Sequence, residues 1–245
     1  MTPKIIAHRG ASEDAPENSI SAFKEAFKQQ ADGIELDVRL TADKRIVCFH
    51  DKSAMRTTGI DKNIDEVTFT ELRSLDCSYG FGKDWQTEKI PEIKEVFSIL
   101  PHNKDMFIEV KTREIIVPYL LQEIESQKVA LDQITIISFY PEVIRCIKER
   151  NIDIKCNLLI AFDYENIKTR KIEEIIQSIG ADGLGAQNHK RFNNELIKML
   201  RNFNKSVHVW TVNSADDAEN YFKKGVDSIT TNRPYFLRNH LKKMK

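Results

Sequence analysis

The chain has 245 residues, enough for one large barrel or for a domain with an insertion, and its apolar and charged contents are those of an ordinary globular protein. Lys plus Arg total 37 and Asp plus Glu total 37, so no overall charge marks it as a binder of nucleic acid or of another polyanion. Any attraction for phosphate must therefore be local.

The N-terminal apolar run, Ile5-Ile6-Ala7, is too short for the core of a signal peptide. No stretch of the sequence reaches the length needed to cross a bilayer, so we expect a cytoplasmic protein without stable membrane insertion. The cysteines are widely spaced and form no Cys-x-x-Cys motif, which predicts free thiols used as small core residues. They are Cys48, Cys77, Cys146 and Cys156.

Strand-like and helix-like segments alternate along nearly the whole chain. The predicted strands are residues 4–8, 33–38, 46–50, 106–111, 134–139, 155–160, 183–187, 207–212 and 228–231. Helical patterns separate most of them, for example at residues 18–30, 165–179, 193–203 and 215–223, and a last amphipathic helix follows Pro234. Asn18 or Ser19 supplies the N-cap of the first helix. Repeated strand–helix units predict a largely parallel α/β sheet.

We predict that this sheet closes into a (β/α)8 barrel of the TIM type, in a single domain over residues 1–245. Nine strands are predicted, one more than a (β/α)8 barrel contains. The link between residues 38 and 46 is also too short for a helical crossover. One of those two segments must therefore be irregular or hairpin-like. An open doubly wound sheet would usually carry a glycine-rich phosphate turn after its first strand, and His8-Arg9-Gly10-Ala11-Ser12 is not such a turn.

Residues 52 to about 88 interrupt the alternation of strands and helices. This segment is polar, contains Gly59, Gly80 and Gly82, and has one short helical pattern near residues 69–75. Its apolar content is too low for a core of its own, which predicts a small insertion after the strand that ends at His50.

Polar residues occupy the ends of four predicted strands, where the pattern elsewhere is apolar. In a strand, residues i and i+2 share a face, so Glu35 lies beside Asp37, and Glu109 lies beside Lys111. The carboxyl ends of barrel strands converge on one site. Buried charges are rare unless they are paired or bind a metal, so this repetition predicts an enzyme active site.

Each residue type at these strand ends suits a particular part of phosphoryl transfer. Glu35, Asp37 and Glu109 offer an oxygen-rich site for one divalent cation, Mg²⁺ or Ca²⁺. Arg9 has a planar fork that matches phosphate, and Lys111 is a compact positive charge.

Two histidines, His8 and His50, stand at strand ends in the same predicted site. Histidine titrates near neutral pH, so the pair can deprotonate a nucleophile and protonate a leaving oxygen. Together with a cation and a phosphate-binding pair, this is the equipment for cleaving a phosphate ester.

The same residues carry a resemblance to a known family. Ten short blocks occur in its order: Ile6-Ala7-His8-Arg9-Gly10, Pro16-Glu17-Asn18-Ser19, Ala22-Phe23, Glu35-Leu36-Asp37-Val38, His50-Asp51, Glu109-Val110-Lys111, Ser138-Phe139, Trp210-Thr211-Val212-Asn213, Gly225-Val226-Asp227 and Thr231-Asn232-Arg233-Pro234. The chain resembles the glycerophosphodiester phosphodiesterases over essentially its whole length. One block is a weak signal, whereas the ordered set is highly specific.

The resemblance implies a (β/α)8 barrel that hydrolyses glycerophosphodiesters, with a divalent cation, to sn-glycerol 3-phosphate and an alcohol. It makes His8 the proton acceptor and His50 the donor to the alcohol. The remaining implied roles are cation ligands for Glu35, Asp37 and Glu109 and phosphate contacts for Arg9 and Lys111. Attack by the substrate's own glycerol hydroxyl, through a cyclic phosphate, and direct attack by water both stay open.

The chain departs from the family pattern at two positions. Ser19 stands where threonine is usual, which preserves the hydroxyl group. Asn232 stands where many relatives carry aspartate, and we expect it to lie far from the chemistry and to matter little. The insertion corresponds to a segment that shapes access for the alcohol part of the substrate.

Several residues have a structural and a functional interpretation. Glu17 and Asn18 either cap the first helix or support the site. Trp210, and similarly Phe139, either fills the barrel or walls the glycerol pocket. The other histidines are expected to be surface or structural residues: His102, His189, His208 and His240.

Two other functions compete with the leading one. A lysophospholipase D-type activity would use the same chemical groups with a longer apolar groove, which the sequence does not show. A silent barrel that binds phosphodiesters would be expected to lack a histidine or a cation ligand, and neither is missing. We therefore expect a small-molecule substrate, and the oligomeric state cannot be read from the sequence.

Overall fold

The computed structural model describes residues 2–82, 85, 87–164 and 166–244. Eight parallel strands form a closed barrel, and one further strand extends its rim. The strands are β1 (Lys4–His8), β2 (Gly33–Leu40), β3 (Ile46–Cys48), β4 (Asp105–Val110), β5 (Ile134–Ser138), β6 (Lys155–Ile160), β7 (Gly183–Gln187), β8 (Ser206–Trp210) and β9 (Ser228–Thr231).

Helices cover the outside of the barrel, and shorter ones lie in the insertion. They are α1 (Ile20–Lys28), α2 (Met55–Thr58), α3 (Phe69–Ser74), α4 (Ile93–Ile99), α5 (Val117–Ser126), α6 (Pro141–Arg150), α7 (Thr169–Ser178), α8 (Asn194–Asn202), α9 (Ala215–Lys224) and α10 (Pro234–Lys242). Short 3-10 turns occur at Ile64–Glu66, Glu114–Ile116 and Leu131–Gln133. Within the described ranges, no helix is both long and apolar enough to cross a membrane.

The predicted barrel is confirmed, and β3 is the extra strand. Pairing between β1 and β2, with Ile6 opposite Gly33 and His8 opposite Glu35, closes the ring. β3 runs antiparallel to the end of β2, so these two strands form the hairpin that the short link required. The predicted start of the seventh helix, Glu165, lies outside the described residues.

The barrel strands carry apolar residues on both faces, so each strand is buried on its outer and on its inner side. One large cluster fills the space between barrel and helices, and a smaller one, made of Ile6, Phe107, Ile137 and Leu159, lies inside the barrel. His208 is a structural residue of this interior. Its ring stacks on Phe107 at 4.8 Å, and its nitrogens contact the hydroxyls of Ser228 and Thr230.

The insertion packs on a second apolar cluster, which it shares with the chain on either side of it. Buried side chains from within it meet others from the flanking chain. The cluster comprises Val47, Phe49, Ala54, Ile64, Val67, Leu72, Cys77 and Ile90. Because β3 and the segments that flank the insertion complete this cluster, the insertion belongs to the barrel domain and does not form a separate unit.

The turn after β1 brings the first motif of the chain, His8-Arg9-Gly10, to the mouth of the barrel. Gly10 has a φ of +82°, and a Cβ there would lie 2.6 Å from Ala22 on α1, so glycine is required. Helix α1 starts at an N-cap in which the Ser19 hydroxyl accepts a hydrogen bond from Ala22 N. The chain thereby folds back tightly and holds Arg9 over the barrel.

Candidate active site

The carboxyl ends of the strands bring the three predicted carboxylates together. Strand pairing places Asp37 on β2 directly opposite Glu109 on β4, with Glu35 one pleat below Asp37 on the same face. Ligand oxygens from the three side chains lie within 4.8 Å of one another. We call Glu35, Asp37 and Glu109 the carboxylate triad.

The carboxylate triad is buried, and its negative charge is only partly compensated. Burial, followed by repulsion from neighbouring carboxylates, raises the pKa of Glu35 and of Glu109 above the usual range. Among the described residues, none donates a hydrogen bond to Oε1 of Glu35 or Oδ1 of Asp37. Buried oxygens without donors are costly unless a cation binds them. An all-oxygen donor set with two such atoms fits a hard divalent cation.

Arg9 and Lys111 lie against the carboxylate triad from opposite sides. Arg9 Nε is 3.1 Å from Asp37 Oδ2, and the Arg9 backbone N donates a hydrogen bond of 2.9 Å to Glu35 Oε2. Lys111 Nζ is 2.7 Å from Glu109 Oε1 and 3.6 Å from Asp37 Oδ1. Burial would raise the pKa of Asp37, but Arg9 and Lys111 lower it to about 2. The structure thus brings both predicted phosphate-binding side chains to the triad.

Asn232 contacts His8, so the expectation that Asn232 lies far from the chemistry is wrong. Nδ1 of His8 is 2.7 Å from Oδ1 of Asn232. Asn213 holds Asn232 in place, because Asn213 Oδ1 accepts a 2.9 Å hydrogen bond from the Asn232 backbone N. An amide oxygen accepts hydrogen bonds and does not donate them, so this contact puts a proton on Nδ1 of His8 and leaves Nε2 free to accept one.

His50 has a charged partner where His8 has a neutral one. Nδ1 of His50 is 2.6 Å from Oδ1 of Asp51, whose other oxygen accepts a 2.6 Å hydrogen bond from Arg56 Nε. Burial opposes ionisation of Asp51, but Arg56 and His50 lower its pKa. The carboxylate therefore stays ionised beside the imidazole, where it favours the protonated form of His50.

The two predicted supporting residues join the parts of the site. Glu17 accepts hydrogen bonds from Arg9 Nη1 at 3.0 Å and from Arg56 Nη2 at 2.7 Å. Asn18 Nδ2 donates to Asp37 Oδ2 at 2.9 Å, and Asp37 N donates to Asn18 Oδ1 at 3.1 Å. Neither residue is the helix cap, which is Ser19. Both side chains instead orient charged groups of the site.

Two aromatic side chains form part of the wall at the barrel mouth. The rings of Phe139 and Trp210 meet edge to face with centroids 5.5 Å apart, and Lys111 Nζ is 5.8 Å from the Phe139 centroid. Trp210 Nε1 donates a 3.0 Å hydrogen bond to Gly185 O. Both rings pack on the apolar interior of the barrel and remain partly exposed at the mouth. They can therefore both complete the core and face a ligand.

A cavity of about 750 Å³ opens at the other end of the barrel. Ion pairs line its rim, including Lys4 with Asp105 and Arg201 with Asp227. This end lacks the carboxylate triad and both site histidines. Barrel enzymes place their chemistry at the carboxyl ends of the strands, and the groups of this chain follow that rule.

Sequence reasoning missed three side chains that shape the site. Asp51 directly follows His50 in the sequence, so its closeness to the His50 ring could be inferred from the sequence. Asn232 was noticed but misplaced, because strand β9 had to be registered against β1 to bring it to His8. Arg56 lies in the insertion and has no motif that signals its contact with Asp51.

Because the carboxylates of the triad repel one another, we predict that removing one charge raises the stability of the cation-free protein and weakens cation binding. Glu35→Gln removes one repelling charge and keeps an oxygen for the Arg9 backbone N, so the cation-free variant should melt higher, by about 2–4 °C for each ~1 kcal/mol relieved. Added Mg²⁺ or Ca²⁺ should raise the melting temperature of the natural protein but not that of the variant.

The matched control is Asp105→Asn, which removes a carboxylate at the opposite end of β4 and should keep the cation-dependent rise. A Glu35→Gln protein that melts lower than the natural one without cation, or that keeps the full cation response, would contradict this account of the triad.

Comparison with known proteins identifies the family. Residues 8–235 match the model of the glycerophosphoryl diester phosphodiesterase family. A glycerophosphodiester phosphodiesterase of Caldanaerobacter subterraneus is 31% identical over 252 residues, covering 99% of this chain and 99% of that protein. One from Bacillus altitudinis is 27% identical over 94% of this chain and 95% of its own length.

Solved structures agree on the fold. An Oleispira antarctica phosphodiesterase, determined in complex with the product sn-glycerol-3-phosphate, superimposes with a TM-score of 0.90 at 23% identity, over 98% of this chain and 97% of that one. The fold, the family match and the relative at 31% identity agree. The chain belongs to the glycerophosphoryl diester phosphodiesterase family and is a phosphoric diester hydrolase.

Proposed function

We propose that the chain hydrolyses glycerophosphodiesters to sn-glycerol 3-phosphate and an alcohol, with one divalent cation and with acid–base catalysis by His8 and His50. The observation that carries the proposal is the buried carboxylate triad, which lies between two basic side chains at the barrel mouth. The names of the relatives and the product bound to the Oleispira antarctica protein support the same substrate class.

The carboxylate triad would hold the cation, Mg²⁺ or Ca²⁺. When bound, such a cation neutralises phosphate charge and stabilises the negative charge that develops in the transition state. Its charge would also weaken the hold of the triad on Arg9 and Lys111. These side chains could then direct N–H groups to the phosphate oxygens from either side of the triad.

His8 is assigned as the base because its environment favours the neutral imidazole. Burial, followed by the charge of Arg9, lowers the pKa of His8 to about 4. His8 is therefore unprotonated at neutral pH, with Nε2 available. The nucleophile, either the neighbouring glycerol hydroxyl or a water, would give its proton to this atom.

His50 is assigned as the acid because an ionised carboxylate faces its Nδ1. Burial and the charges of Arg9 and Lys111 lower the pKa of His50, while Asp37 and the hydrogen bond to Asp51 act in the opposite direction. The hydrogen bond to the neutral amide of Asn232 also favours protonated His8, but burial and the charge of Arg9 outweigh it. Two histidines whose partners differ in charge divide into base and acid, and Nε2 of His50 would protonate the departing alcohol oxygen.

The activity is tested by release of sn-glycerol 3-phosphate from glycerophosphocholine and glycerophosphoethanolamine, with and without EDTA. We expect release from both substrates, a loss of roughly 100-fold or more with EDTA, and recovery on adding Mg²⁺ or Ca²⁺. Lysophosphatidylcholine serves as the competing substrate. Choline release from it alone would replace the proposal with a lysophospholipase D activity, and no release from any substrate would refute catalysis.

The division of roles predicts a leaving-group effect. His50→Ala should lower kcat about 10²- to 10⁴-fold on glycerophosphoethanolamine, but less than about tenfold on a glycerol p-nitrophenyl phosphodiester, whose leaving group needs no proton. His8→Ala should lower kcat on both substrates by the larger factor, since both need a base.

His102→Ala is the control, because His102 is exposed and outside the site, and it should leave both rates unchanged. Equal losses on the two substrates in His50→Ala would contradict the assignment of His50 as the acid.

A further inference from the structure

Arg39 is a charged residue at the barrel mouth to which the chemistry above gives no role. It lies on β2, two residues after Asp37 and on the same face, so it stands one pleat further toward solvent than the carboxylate triad. There β2 extends beyond the barrel and pairs with β3, with Arg39 opposite Val47.

The guanidinium of Arg39 lies against the backbone that carries His50. Nε of Arg39 donates a 2.9 Å hydrogen bond to the His50 carbonyl oxygen. Burial lowers the pKa of Arg39, while Asp37, Asp51, Tyr140 and Asp65 act in the opposite direction. Those four residues belong to β2, the loop after β3, the loop after β5 and the insertion, so negative or polar groups on four elements act on the guanidinium.

The outer edge of this guanidinium has no protein partner within the described parts of the chain. Neither Nη1 nor Nη2 makes a hydrogen bond there, and no carboxylate lies within 4.0 Å of the side chain. The other basic residues of the site differ in this respect. Arg9 pairs with Glu17 and Asp37, Arg56 with Glu17 and Asp51, and Lys111 with Glu109.

A partly buried guanidinium without a directly paired anion is energetically unfavourable, since it has lost water on some faces and the nearby carboxylates act on it only from beyond 4.0 Å. The Arg39 fork can bind a planar carboxylate through two parallel N–H···O bonds, and the phosphate of the substrate already has Arg9 and Lys111 as its proposed contacts. The alcohol must leave on the side of His50 if His50 protonates it. An anionic group on that alcohol would thus come close to Arg39.

We propose that Arg39 selects substrates whose alcohol carries a carboxylate. This inference rests on the proposed function and names the substrate class of the same site. Glycerophosphoserine represents the class, and glycerophosphoethanolamine is a matched comparison that differs from it by this carboxylate alone. The chain should prefer glycerophosphoserine, because the ethanolamine ester offers the guanidinium a positive group and no acceptor.

The test compares kcat/KM for the two esters in the natural protein and in Arg39→Gln. A charge-assisted hydrogen bond predicts a preference of about 10- to 100-fold for glycerophosphoserine, and Arg39→Gln should reduce it to within about threefold. Glutamine can still donate to the His50 carbonyl. The variant should therefore lose less kcat/KM on glycerophosphoethanolamine than on glycerophosphoserine. Arg113→Gln is the control, since Arg113 lies near the mouth, pairs with Glu142, and should keep the preference.

The outcomes distinguish failure of the Arg39 selectivity role from failure of the proposed hydrolase function. The selectivity role is overturned if the natural protein turns over both esters without a preference. It is also overturned if Arg39→Gln keeps the preference while both rates fall together. Both results leave the hydrolase activity intact. Failure of the natural protein to turn over either ester would overturn the proposed function and the inference with it.

Discussion

Burial of three like-charged side chains at one end of a barrel is the constraint on which the active site depends. Glu35, Asp37 and Glu109 lie too close together for all three charges to be tolerated without compensation, and Arg9 with Lys111 supplies two positive charges against three negative ones. The result is a carboxylate triad with raised pKa values and oxygens that lack donors. A folded chain keeps such an arrangement when a ligand relieves it, and here the missing charge corresponds to a cation.

A second layer of the site gives the two histidines unequal environments. His8 meets the neutral oxygen of Asn232, and His50 meets the ionised Asp51, which Arg56 holds in place. Glu17 links Arg56 to Arg9, so ion pairs tie the insertion to the basic side chain beside the carboxylate triad. One network of charged side chains therefore connects the carboxylate triad, the insertion and His50.

Local patterns predicted most of the strands and the carboxylate triad, because alternation along a strand fixes which side chains share a face. β1, β6, β7 and β9 have the predicted bounds. The contact between Asn232 and His8 was beyond such reasoning, since it joins the two ends of the chain through the register that closes the barrel. The apolar cluster under the insertion likewise cannot be read from the insertion alone, because Val47 and Ile90 come from outside it. Periodicity reports the face on which a residue lies, whereas partners far apart in sequence depend on the assembled fold.

The central claim is that the carboxylate triad is built for a cation, and calorimetric titration with Mg²⁺ or Ca²⁺ tests it most directly. Because burial and repulsion raise the pKa values of Glu35 and Glu109, part of the triad is protonated in mildly acidic solution, and binding must displace those protons. The account predicts one ion per chain, heats at pH 6 that vary with the ionisation enthalpy of the buffer, and tighter binding at pH 8 than at pH 6. No binding, or binding without proton release and with the same affinity at both pH values, would contradict it.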